Sequence, residues 1–272
     1  MPASEAMQTL WFITNPNSGS TSQEKCDAIE ALFVQHGLKL GGRTLFPADD
    51  LPESDALNAA GVDTVVLFAG DGTINTALCK LANWQGAFLI LPGGTMNLLA
   101  KALHAELDPA KIIASAMQSS QRVALPYVEA GPHRAFVGLI LGPAGLWVNA
   151  REAVRKGRFE RFVPAVRLAW RRTFGNGIRV GGVAGLRDRY QAVLISPAPD
   201  KGLDVAAIEA RDWRSIAELG WDWLTGDWVA ARAVTKTQAE QLQVHGKRGV
   251  HALFDGEPVM LDPGAQILSG AT

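Results

Sequence analysis

The stretch TVVLFAGDGTINTALCKL, residues 64–81, decides the fold. Its first five residues, Thr64–Phe68, are β-branched and apolar, as a strand buried inside a parallel sheet should be. They run into Ala69-Gly70-Asp71-Gly72-Thr73, and the spacing beyond predicts a helix over Ile74–Leu81. The plan occurs twice more. Downstream, AFLIL at 87–91 runs into PGGT, with a helix expected over Met96–Leu103. Upstream, Leu10–Thr14 runs into NPNSGS. Thr21 and Glu24 are placed as a capping box for a helix that carries Cys26, Ile29, Leu32 and Phe33 on one face and stops at Gly37. Strand, Gly-rich loop and helix, three times over, predict an open α/β sheet.

After about residue 122 the texture changes. Short alternating segments at Arg122–Ala130, Arg134–Leu141, Ile178–Val183, Tyr190–Ser196 and Asp204–Glu209 are separated by Gly and Pro. They predict an antiparallel β-sandwich. Helices are expected around Phe159–Phe174 and over Arg214–Leu224. The expected division is therefore an α/β domain over 1–122 and a β-rich domain over 123–272, whose last strand stays in the sandwich or returns to the first domain.

Composition narrows the function classes. The chain has 272 residues, 47% hydrophobic and 19% charged, near the values for a globular protein. No apolar run approaches the ~18 residues of a membrane span. Residues 1–9 have neither the basic start nor the apolar core of a signal peptide. Two cysteines, Cys26 and Cys79, make no disulfide framework, and no Cys/His cluster has zinc spacing. A reducing, cytoplasmic setting is expected. A net charge of −1 argues against nucleic acid as a partner.

The Gly-rich loops carry the chemistry. Backbone N–H groups at a glycine-rich turn ahead of a helix form an anion cradle, and glycine lets a phosphate approach closely. Asn15–Ser20, Ala69–Thr73 and Gly93–Asn97 follow three strands. In a parallel sheet all three lie at the carboxyl edge, where ligands bind. One such loop alone is ordinary fold geometry; three together point to a nucleotide. Neither GxxxxGK[ST] nor GxGxxG occurs, which argues against a P-loop enzyme and a dinucleotide site.

NPNSG at 15–19, GDGTIN at 70–75, LPGGTMNLLAKAL at 91–103 and Asp255-Gly256-Glu257 resemble the motifs of the diacylglycerol kinase catalytic-domain family, which includes bacterial lipid kinases, sphingosine kinases and ceramide kinases. The resemblance implies an N-terminal nucleotide-binding domain, a C-terminal β-sandwich and an active site in the cleft between them. It implies transfer of the γ-phosphate of ATP, with Mg²⁺, to a lipid hydroxyl. By position, Asn15, Ser18 and Gly19 match the first nucleotide-contacting motif, Gly70, Asp71, Gly72 and Thr73 the central one, and Gly94, Thr95 and Asn97 the third. Thr44 matches a nucleotide-contacting threonine on the second strand, and Asp255 and Glu257 match the C-terminal acidic pair.

Phosphoryl transfer needs little covalent chemistry from the protein beyond positioning the hydroxyl and neutralising charge. One carboxylate can accept the hydroxyl proton and others can hold Mg²⁺. Asp71 and Asp255 are the candidates; Asp255 is favoured as base, with Asp71 and Glu257 organising the magnesium nucleotide. The competing reading of Asp255-Gly256 is a type I′ hairpin turn.

By the same resemblance the basic segment 151–172 offers Arg155, Lys156 or Arg158 to the ATP phosphates, with Arg158 favoured. Its other cations, with Trp170, Trp213, Trp221, Trp223 and Trp228, suit the inner face of an anionic membrane or a solvated helix packed on the sandwich. The acyl groove is expected to include Leu139, Leu141, Leu146 and Trp147, and a homodimer is compatible with the family.

The chain departs from the family at Ala69, where Gly is usual, at Thr76 for Glu, at Leu98 for Asp and at Asn149 for Asp. Asn149 weakens the case for a sphingoid ammonium and leaves a neutral lipid such as diacylglycerol. Two other classes remain open: a catalytically weak nucleotide-binding regulator, and a kinase of a soluble substrate similar to the NAD kinases.

Overall fold

Four short segments pair as a parallel sheet in the order β2-β1-β3-β4, from Lys39–Leu45, Thr9–Thr14, Thr64–Ala69 and Ala87–Pro92. This computed structural model describes residues 7–119, 122–142, 177–186, 189–190, 192–198, 202–208, 234–246 and 248–272. β3 is buried at all six positions, as its unbroken apolar run predicts. Alternate residues go to opposite faces. Leu10, Phe12, Val66, Phe68, Leu89 and Leu91 meet Cys26, Ile29 and Phe33 of α1 (Gln23–Gln35) and Ile112 and Ile113 of α5 (Pro109–Ser119) in one core. Phe12 and Phe33 stack edge to face, with ring centres 5.3 Å apart. Val65, Leu67 and Ile90 are buried on the other face. The remaining helices are α2 (Ser54–Ala59), α3 (Asp71–Lys80) and α4 (Leu98–Leu103).

Three helix starts differ from the sequence reading: α4 begins at Leu98, two residues after the expected Met96, with Asn97 as its cap. The cap of α1 is Ser22, whose Oγ accepts from Lys25 N, not Thr21. Thr21 instead donates its hydroxyl to Gly93 O, 2.8 Å away. α3 begins at Asp71, three residues earlier than expected, because Gly70 takes the extended cap conformation and the GDGT motif itself forms the first turn. α1 ends as expected: Gly37 has φ 71°, the left-handed conformation that closes a helix with glycine.

The chain divides into two units, Met1–Ala124 and Leu125–Thr272. In the second, six strands run in the order β11-β10-β9-β7-β13-β14 and five in the order β6-β5-β15-β12-β8. β5 is Pro126–Ala130, β6 His133–Ala135, β7 Leu139–Leu141, β8 Arg179–Gly181, β9 Ala192–Pro197 and β10 Leu203–Ile208. Then come β11 (Val234–Ala239), β12 (Gln241–His245), β13 (Val250–Phe254), β14 (Glu257–Leu261) and β15 (Gln266–Ala271). Among the described residues every ladder in this unit is antiparallel. Val128, Ala135, Val244 and Ile267 of one sheet share a core with Leu139, Val193, Val205 and Phe254 of the other. That is the expected sandwich.

The last strand, β15, sits between β5 and β12 and does not return to the parallel sheet. Its inward residue Ile267 is fully buried in the sandwich core, which holds it there. Leu139 and Leu141 are likewise core residues with 0% exposure, so they do not line a groove; their strand lies between β9 and β13 with neighbours on both sides. Leu146, Trp147, Asn149, Arg158, the basic segment, the five tryptophans named above and the two expected helices lie outside the described residues.

Candidate phosphate-binding site

In the strand order β2-β1-β3-β4, the chain leaves β1 for one side of the sheet and β3 for the other. The boundary between β1 and β3 is therefore the switch point of the sheet, and ligands bind just beyond the carboxyl ends of the strands at such a point. The first two Gly-rich loops begin there, and the third follows β4 beside β3.

Side chains bolt these loops together. Gly70 N–H donates to Ser18 Oγ (2.9 Å), which ties the loops across the switch point. Asn15 Nδ2 donates to Thr73 Oγ1 (2.8 Å). Ser20 Oγ donates to Gly94 O (2.6 Å), which joins Thr21 in holding the third loop. Within that loop, Gly94 N–H donates to Asn97 Oδ1 (2.7 Å), and Asn97 sits at φ 52° as the cap of α4. The conformation is one that Asn tolerates better than most residues.

Close backbone approach explains two glycines here. A Cβ on Gly93 would lie 2.5 Å from Ala69 N, and one on Gly94 would lie 2.8 Å from Gly70 Cα. Gly19 is crowded by the hydroxyl of Thr95, a side chain that can turn aside. Ala69, by contrast, is the last residue of β3 in extended conformation, and its methyl group is accommodated with 0% exposure. The departure from glycine at that position is therefore neutral for the backbone.

Gly72 and Thr73 fall at the second and third positions of α3, where N–H groups have no acceptor within their own helix. The positive end of the helix dipole adds to them. Asp71, the first helical residue, is 8% exposed, and its Oδ1 accepts from Leu99 N in the first turn of α4 (3.3 Å). It is the single acid among the residues of the three loops. Thr76, exposed on α3, turns its hydroxyl back to Gly72 O (2.8 Å).

The structure thus joins Asn15, Ser18, Gly19, Gly70, Asp71, Gly72, Thr73, Gly94, Thr95 and Asn97 in one loop cluster. Thr44 is placed differently. It is 3% exposed, and its hydroxyl accepts from Trp11 Nε1 (3.0 Å), with the indole lying across Gly42. The sequence reading placed Ser20 in the first loop but missed Thr21 and Lys25 as loop partners; Lys25 Nζ donates to Ser20 O (2.7 Å). The run of hydroxyls from Ser18 to Ser22 was the available signal.

Asp255 and Glu257 belong to the second unit. Asp255 (φ 48°) and Gly256 (φ 90°) form the two-residue turn between β13 and β14, the type I′ hairpin that the competing reading expects. The Asp255 carboxylate is 6% exposed and accepts from Phe136 N, Val137 N and Gly138 N at 2.7, 2.9 and 2.9 Å. Glu257, opposite Phe254 in the ladder, is exposed.

Among the described residues no three His, Cys, Asp or Glu side chains gather as a resident metal site. A single carboxylate at a phosphate cradle does fit Mg²⁺ that arrives on a nucleotide, since Mg²⁺ keeps several waters and takes one or two carboxylates besides phosphate oxygens.

A parallel sheet with a bolted, glycine-rich cradle and one carboxylate at its switch point defines an α/β domain built to hold phosphate. Residues 9–126, nearly the whole of the first unit, are similar to the diacylglycerol kinase catalytic domain. A crystal structure of a candidate diacylglycerol kinase from Bacillus anthracis str. Sterne superimposes with a TM-score of 0.67 at 17% identity, covering 97% of this chain and 95% of that one. A structure of a diacylglycerol kinase from the same organism gives 0.64 at 15% identity, covering 97% and 94%. Both likenesses bear on the fold. No curated protein matches the sequence.

Proposed function

We propose that this protein is an ATP-dependent kinase that transfers the γ-phosphate of magnesium-bound ATP to the hydroxyl of a lipid, of which a neutral diacylglycerol-like lipid is the leading case. The observation that carries this reading is the bolted cradle around Asp71, within a domain matched to the diacylglycerol kinase catalytic family. The N–H groups of Gly72 and Thr73 at the start of α3 donate to the phosphate oxygens. Thr73, whose hydroxyl oxygen accepts from Asn15, keeps its own proton to donate. Mg²⁺, carried in with the nucleotide, supplies charge neutralisation on the transferring phosphoryl group. Asp71 orients that cation through its carboxylate. Side-chain bonds between the loops hold these donors in place, and donors held in place reorganise little when charge develops, which is where electrostatic catalysis gains most.

The lipid acceptor rests on the family likeness. No helix of the described residues is long and apolar enough to cross a membrane. Glu257 is assigned to the nucleotide as a second acidic group, and Arg158 to its phosphates. The deciding experiment offers the protein γ-labelled ATP·Mg²⁺ with either vesicles carrying a neutral lipid hydroxyl or a mixture of soluble metabolites. Label in the organic phase is expected. Label confined to the aqueous phase would move the protein to the soluble-substrate kinases, and saturable ATP binding without transfer would make it a nucleotide-binding regulator.

A further inference from the structure

The three loops of the cradle hold one charged side chain between them, the carboxylate of Asp71. A nucleoside triphosphate brings about four negative charges, about half of which Mg²⁺ cancels. With Asp71 beside it, roughly three negative charges remain to be balanced. Helix N-termini offset part of this, at about half a unit charge each. A full positive charge at the loops is still wanted, and Lys25 is where the structure places one. Its Nζ donates to Ser20 O at 2.7 Å. Ser20 in turn donates its N–H to Gly93 O (3.4 Å) and its hydroxyl to Gly94 O (2.6 Å). The ammonium therefore stands where the first loop is tied to the third.

The helix itself does not account for this lysine. Lys25 is the third residue of α1 after the Ser22 cap, and it is exposed. A cation there faces the positive end of the helix dipole, which favours acids in the first turn and cations in the last. Side chains on a helix meet at spacings of about three or four residues, which for Lys25 means Thr21, Ser22, Ala28 and Ile29, none of them an acid. Asp27, close by in sequence, accepts instead from Gln23 Nε2 at 2.8 Å. Among the described residues Lys25 enters no ion pair. An exposed lysine ordinarily carries its ammonium out into water. This one turns back, against the dipole, to a loop carbonyl. An ammonium has more donors than the single bond to Ser20 O uses, and the rest can turn to an anion.

We infer that Lys25 is the cation of the cradle: its ammonium binds the polyphosphate of the magnesium nucleotide, and α1 carries a lysine against its own dipole to place it there. The inference rests on the nucleotide-binding part of the reading proposed above. It gives the first unit a charge role that the sequence reading assigned to Arg158.

The test compares the full chain with Lys25→Gln, Lys25→Arg and Lys39→Gln, the last an exposed lysine at the amino end of β2, away from the loops. Each protein is titrated with ATP·Mg²⁺ and with inorganic tripolyphosphate·Mg²⁺, in competition with a fluorescent ATP analogue, at low and at higher salt. Each is also melted without ligand. Lys25→Gln should weaken both ligands by about tenfold or more, the size of a lost charge-assisted bond, and flatten the salt dependence. Lys25→Arg should retain most of the affinity and Lys39→Gln all of it. The melting midpoint of Lys25→Gln should stay level or rise, because the helix loses a cation that opposes its dipole. Wild-type affinity for tripolyphosphate in Lys25→Gln overturns the inference. So does an equal loss in Lys39→Gln, which would be a general effect of charge. A loss that comes with a fall of about 4 °C or more in the midpoint, or a Lys25→Gln chain that does not fold, overturns it by giving the lysine a structural role. If the wild type binds ATP·Mg²⁺ but transfers no phosphate, the kinase reading fails and the binding comparison still decides Lys25. If it binds neither ligand, both fall.

Discussion

Gly93 and Gly94 show how one missing methyl group can set a site. Each lies against backbone of β3 or its loop, at Ala69 N and Gly70 Cα, and backbone held in a sheet cannot step aside cheaply. Gly19 faces only the Thr95 hydroxyl, which can change rotamer. Gly94→Ala should therefore separate the second and third loops and weaken ATP·Mg²⁺ binding by about tenfold or more, an effect of roughly 1.4 kcal/mol. Gly19→Ala should cost clearly less. Titration with a fluorescent ATP analogue measures both; equal losses would mean that the cradle is not shaped by that backbone contact. The same scale explains why some site residues were legible in the sequence and others were not. Glycines and the lone acid in strand-end loops announce an anion cradle by type and spacing. That Ser18, Ser20 and Thr21 bind neighbouring loops rather than cap a helix depends on partners up to 74 residues away, which local spacing does not encode.

At the scale of elements, strongly apolar segments were readable because one force dominates them. β1, β3 and β4 were expected within one residue of their observed ends, and α1 buries Cys26, Ile29 and Phe33 of the four residues on its expected face. Burial also pushes the Cys26 thiol up from its ordinary range, which keeps it neutral among apolar neighbours. After residue 233 the sequence reading offered only the hairpin turn at Asp255-Gly256 and a last strand, without bounds for either. β12 alternates Gln241, Leu242, Gln243, Val244 and His245, with only Leu242 and Val244 buried, so just two apolar residues mark it. Asp71 illustrates a different difficulty. The reading placed it in a loop, whereas it opens α3 and holds the start of α4, because a glycine cap lets the helix begin early. The docking of α1 depends on Phe33, which is 1% exposed and set edge-on to Phe12. Phe33→Ala removes that ring and leaves a cavity, at a cost of about 3–5 kcal/mol. Thermal unfolding should fall by about 10 °C or more; a fall of only a degree or two would show that α1 is not held through this face.

For the whole molecule, two kinds of unit are joined in one chain: a parallel α/β layer that presents loops, and an antiparallel sandwich closed by its own hairpins. The first is where phosphate chemistry is expected from the switch point of its sheet. The second holds the Asp255-Gly256-Glu257 turn, whose aspartate accepts from the N–H groups of Phe136, Val137 and Gly138. The division into α/β and β-sandwich could be read from the change of periodicity near residue 122, because period and turn spacing differ so strongly between the two classes. The account stands or falls on phosphoryl transfer at the cradle. The measurement that tests it most directly is the transfer of γ-label from ATP·Mg²⁺ to an organic-soluble product by the intact chain, beside Asp71→Asn. Asn keeps an oxygen for Leu99 N and so keeps α4 in place, but it removes the charge. Label in the wild-type product, reduced by about 100-fold or more in a variant that melts normally, is the predicted result. Undiminished transfer by Asp71→Asn, or no transfer by either protein, would contradict it.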